Sequence, residues 1–69
     1  MKITKKTDGI PAGTIVALPG GEILRIERLV DPIGGVYRVQ FLEDDGEDYT
    51  EIGGTRFMRT DEMIGGEYE

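Results

Sequence analysis

Six carboxylates fall within nine residues: Glu43, Asp44, Asp45, Glu47, Asp48 and Glu51. Such a group can hold a cation, move a proton or attract a basic surface. Spacing decides among these. An EF-hand loop needs D-x-[DN]-x-[DN]-G with a Glu six residues after the glycine. Taking Gly46 as that glycine puts Phe41 at the first position and Ile52 at the last, so the calcium reading fails. Paired carboxylates can cleave glycosides, but only in a cleft that holds a sugar, and a chain of 69 residues is short for one. What remains is electrostatic. The six acids are the expected partner-binding residues, docking a basic protein surface.

Elsewhere the chain excludes more chemistry than it offers. It lacks His, Cys, Ser, Asn and Trp. Without His no side chain has an unperturbed pKa near neutrality, and without Cys or Ser the common nucleophile–base pairs cannot form. No phosphate-cradling glycine spacing is present. No enzyme, metal or cofactor is expected. The absence of Cys also removes disulfides and structural zinc, so a compact core must carry the fold. No apolar run approaches a membrane span, and the basic start Met1–Lys6 has no apolar run after it. The expected location is the cytoplasm.

Charge is divided unevenly along the sequence. Residues 1–42 carry six Lys/Arg against four acids, and residues 43–69 carry two against ten, within a net −6. Lys2, Lys5 and Lys6 with Arg25 and Arg28 make a small basic patch, expected to pair with the acidic end of the same chain. A nucleic-acid binder needs a broad positive field and exposed aromatics, so direct DNA or RNA binding is not expected. The reverse is open: a phage or mobile-element inhibitor that imitates nucleic-acid charge. Duplex DNA carries a charge every ~1.7 Å of axis, while one face of a strand repeats at ~6.7 Å. A single hairpin is therefore too sparse, and Glu62, Glu67 and Glu69 would have to join its face. A third reading is a structural accessory subunit that packs through an apolar face. The plainest alternative is that the acids form a solvated hairpin tip that guards strand edges.

Strands must position these residues. Thr14–Leu18 is short and β-branched; Glu22–Val30 alternates until Leu29 and Val30 break phase, which suggests a bulge. Val36–Phe41 alternates Tyr37, Val39 and Phe41 against Arg38 and Gln40. Asp48–Ile52 and Thr55–Arg59 are two weaker strands. Gly-Gly pairs at 20–21, 34–35, 53–54 and 65–66 read as turns, and Asp45-Gly46 as a type I′ hairpin turn. Thr60–Met63 is a single 3-10 turn with Thr60 as its N-cap.

From Ile10 to Ile64 this layout resembles the Src-homology-3-like small barrels, including the KOW and Tudor types. The matching pieces are Pro11–Val16, Gly21–Ile26, Tyr37–Phe41, the acidic hairpin, the segment holding Phe57 and the turn Thr60–Met63. The resemblance implies an all-β SH3-like barrel of about five short antiparallel strands, the last over Met63–Tyr68. The chain departs from each familiar function of that fold. It is acidic where KOW barrels are basic, it has few aromatics for a Tudor cage, and it has no Trp for a peptide groove. The expected domain is 1–69, with residues 1–9 either flexible or an edge strand. The expected core is Ile15, Ala17, Leu24, Ile26, Val39, Phe41, Phe57 and Met63.

Overall fold

The structure, a computed structural model, describes residues 1–4 and 9–69. Its strands are β1 (Ile15–Ala17), β2 (Ile23–Asp31), β3 (Val36–Asp44) and β4 (Tyr49–Arg59). Short connections permit only antiparallel neighbours, and the strands pair in chain order as an open four-stranded sheet. A 3-10 turn, Thr60–Met63, follows β4. The described residues are thus all-β with one 3-10 turn.

Register fixes which side chains share a face, because residues directly opposite one another do. Val16 lies opposite Leu24, Leu24 opposite Phe41, Ile26 opposite Val39, and Tyr37 opposite Met58. These make the inner face. Val16, Leu24, Ile26, Tyr37 and Val39 are buried there, and Ile3, Ile10, Leu18 and Met63 close over them. The phenol oxygen of Tyr37 accepts the Ile10 N–H at 2.9 Å, so its polar end is satisfied inside the core. In β2 the register shifts between Ile26 and Arg28 and again between Leu29 and Asp31. The break of phase at Leu29–Val30 is part of this irregularity.

Four expectations are corrected. In β1 the buried residue is Val16, while Ile15 is half-buried and Ala17 exposed; three residues are too few for alternation to set the phase. Phe57 is 66% exposed, not core, because it lies opposite Arg38 on the outer face. Phe41 is only partly buried. The pair Gly53-Gly54 is no turn: it lies inside β4, merging the two expected strands into one of 11 residues. Between Gln40↔Thr55 and Leu42↔Glu51, Phe41 alone faces Ile52, Gly53 and Gly54. In this bulge Gly53 takes φ +67°, a left-handed conformation that glycine reaches without steric cost. The buried amide of Gln40 fills it, donating to the carbonyls of Phe41, Ile52 and Gly53 at 3.0, 3.2 and 3.4 Å.

The turn Thr60–Met63 forms where expected, but Arg59 is its N-cap, with Thr60 buried inside the first turn. The Glu62 carboxylate accepts the Arg59 N–H at 2.9 Å. Beyond the turn, Gly65 has φ +90° and interrupts extension. Glu67 alone forms isolated bridges, to Ala17 on one side and Lys2 on the other. Met63–Tyr68 therefore makes no regular fifth strand, and β1 and β4 remain unpaired with each other. Residues 5–8, within the 1–9 expectation and including Lys5 and Lys6 of the basic patch, lie outside the described residues. Among the described residues no helix is long and apolar enough to cross a membrane.

Candidate functional site

The acidic run occupies the β3–β4 hairpin. Asp44 and Tyr49 close the ladder, and residues 45–48 form the loop. A type I′ turn would place Asp45 and Gly46 both at positive φ; Gly46 has φ +99°, but no non-glycine residue has positive φ among the described residues. The loop is longer because Asp45 builds it. Its Oδ1 accepts the N–H of Asp48 at 2.8 Å and of Glu47 at 3.0 Å. The Asp48 carbonyl in turn accepts the Asp45 N–H at 3.1 Å. These donors, Asp48 first, hold the Asp45 carboxyl below the ordinary aspartate range. Asp44 is also used locally, accepting the Gly46 N–H at 2.9 Å.

All six expected site residues are exposed, but they divide by role. Asp44 and Asp45 shape the loop. Glu51 reaches across the outer face to Arg25, with Oε2 2.6 Å from Nη2. Arg25 also pairs with Glu27 at 3.0 Å. Among the described residues Glu43, Glu47 and Asp48 make no ion pair, so their charges face solvent. No group of three or more carboxylates among the described residues converges enough to hold a metal ion.

Apolar surface adjoins this charge. An open groove of about 530 Å³ at the hairpin's base is lined by Ile23, Phe41, Leu42, Glu43, Ile52 and Arg56. The Arg56 guanidinium lies 4.9 Å from the Phe41 ring centroid, a cation–π contact on the groove wall. A second open groove holds Ile15, Ala17, Ile23, Tyr49, Glu67 and Glu69. It brings two C-terminal acids to the side of the hairpin. Glu62 stays beside Arg59, within the turn that follows β4. Carboxylates beside an apolar groove suit a ligand that carries Lys or Arg next to an apolar side chain.

Compared with known proteins, the chain matches no family model, no curated protein and no solved structure.

One arrangement was not foreseen from the sequence. Arg28 on β2 lies opposite Arg38 on β3, and Arg38 lies opposite Phe57 on β4. All three are exposed. Like charges directly opposite are destabilising. The signal is present in sequence as three residue types, but it becomes a row only once two strand registers are known.

Proposed function

We propose that the chain is a non-enzymatic binding module that docks a basic protein surface through its β3–β4 hairpin. The observation that carries this is the groove walled by Phe41, Ile52 and Arg56 and edged by Glu43, in the same hairpin whose loop presents Glu47 and Asp48 to solvent. Within this reading Asp45 holds the loop in shape, Asp44 lends Oδ1 to the Gly46 N–H while its exposed carboxylate still carries charge, and Glu51 is tied to the sheet by Arg25. Electrostatic attraction would speed encounter and orient the partner, and the groove would add apolar contact. An SH3-like arrangement belongs to the same proposal. It is supported by the 3-10 turn after β4 and by the Ala17–Glu67 bridge that returns the chain to β1.

The test is titration of the chain against a Lys/Arg-rich peptide carrying one central Leu. Glu47→Lys with Asp48→Lys should weaken binding by about tenfold or more, ~1.4 kcal/mol. Asp61→Lys with Glu62→Lys changes net charge equally but lies on the 3-10 turn, and should preserve most of the affinity. Equal losses in both variants, with the unfolding midpoint of the Asp61/Glu62 variant unchanged so that the Arg59 cap is intact, would show that net charge alone attracts the peptide and would reject the docking reading.

A second reading keeps the hairpin but makes it an inhibitor of a nucleic-acid-binding protein by charge imitation. The placement of Glu67 and Glu69 around the same groove as Tyr49 favours it. It predicts that the chain displaces a duplex oligonucleotide from its target, which simple docking does not require.

A further inference from the structure

The outer face of the sheet carries its arginines in two conditions. Arg25 is neutralised by Glu27 and Glu51, and Arg59 lies 3.2 Å from Asp61. Arg28 and Arg38, facing each other across two strands, make no ion pair among the described residues. Beside them Phe57 leaves 66% of its surface exposed. A repelling pair with an uncovered ring is unfavourable in isolation and becomes favourable when an anionic surface covers it.

The same face carries the complementary group at its other end. Arg38 and Asp44 are both on β3, six residues apart and so on one face. At ~3.4 Å per residue they are about 20 Å from each other, too far to meet within one chain. Each is part of a cross-strand pair: Arg38 with Phe57, and Asp44 with Tyr49. A second copy turned end for end would bring carboxylate to guanidinium and ring to ring, at both ends at once.

We propose that the basic surface met by the acidic hairpin is the Arg28–Arg38–Phe57 row of a second copy of this chain. The inference rests on the docking reading and names its partner. The contact is reciprocal, each hairpin seated on the other copy's row, so it is isologous and closes at two. Each copy carries a net −6. At physiological ionic strength charges beyond ~8 Å are largely screened, so distant repulsion fades while close pairs persist.

Sedimentation equilibrium of the full chain across a wide concentration range tests this. The mass should rise from 7.6 kDa toward twice that value, and the midpoint should move to higher concentration with salt. Arg38→Glu alone and Asp44→Lys alone should each weaken association at least about tenfold. An equimolar mixture of the two should restore it, because the mixed dimer pairs Glu with Lys at one end and Arg with Asp at the other. Phe57→Ser should weaken association without altering the unfolding midpoint of dilute, monomeric protein. A single mass of 7.6 kDa throughout, or a dimer indifferent to both charge variants, would overturn the inference. If the chain stays monomeric while the Glu47/Asp48 reversal still abolishes peptide binding, the second copy is wrong and docking survives. If neither responds, both fall.

Discussion

Thr60 donates twice to Gly35: its N–H and its hydroxyl reach the one carbonyl oxygen at 2.9 and 3.0 Å. The contact ties the 3-10 turn to the connection between β2 and β3. It also explains the glycine. Gly35 has φ +65°, and a Cβ there would sit 2.9 Å from the Thr60 hydroxyl oxygen. Gly35→Ala should therefore lower stability by ~1–3 kcal/mol, from left-handed strain plus a displaced hydroxyl. Gly54, with open space around its Cα and no positive φ, is the control. Gly54→Ala should shift the urea midpoint little, by under ~1 kcal/mol.

Phe57 and Met63 should behave oppositely to their apparent hydrophobic weight. Phe57 is the larger side chain but 66% exposed; Met63 is fully buried in the core cluster. Met63→Ala should cost ~2–5 kcal/mol. Phe57→Ala should fall near the surface range of about ±0.5 kcal/mol. Chemical denaturation of dilute protein, where association is absent, compares them. A large loss at Phe57 would mean that it is core.

The Asp45 carboxyl is held below its ordinary value of 3.8, chiefly by the Asp48 and Glu47 N–H donors. A depressed folded pKa contributes order that is complete above the unfolded value and is lost as pH falls through the folded one. Between pH 3.8 and that lower value the loop should begin to loosen. Carbon-detected titration should place the Asp45 carboxyl midpoint below 3.8, and Asp45→Asn should remove the acid-dependent loss of amide protection at Glu47 and Asp48. A midpoint at or above 3.8 would contradict the loop geometry.

Much of the sheet is legible in residue order. Tyr37 and Val39 alternate cleanly and are buried together, and Thr60–Met63 turns where its short acidic start and the following glycines allow. β4 is legible only as two weak strands, Asp48–Ile52 and Thr55–Arg59, because apart from half-buried Met58 it is exposed and carries no hydrophobic period to join them. Gly53-Gly54 resembles a turn until Gln40, on another strand, is seen to fill the bulge they make. The acidic positions are plain in the sequence, but their division of labour is not. Asp45 as loop builder depends on loop length, and Glu51 as partner of Arg25 depends on reach across β3. The Arg28–Arg38–Phe57 row requires two registers at once.

The plug that Gln40 forms in the β4 bulge bears on how the hairpin finds its alignment. A strand without an apolar face can slide along its neighbour with little penalty, and β4 is such a strand. Here the three-against-one mismatch and the amide that bonds the Ile52 and Gly53 carbonyls coincide at a single offset. Any slipped pairing would leave a buried amide facing the wrong backbone atoms. Gln40 thus acts as an index mark on β3, letting a polar strand be counted into place by hydrogen bonding where hydrophobic burial supplies no count.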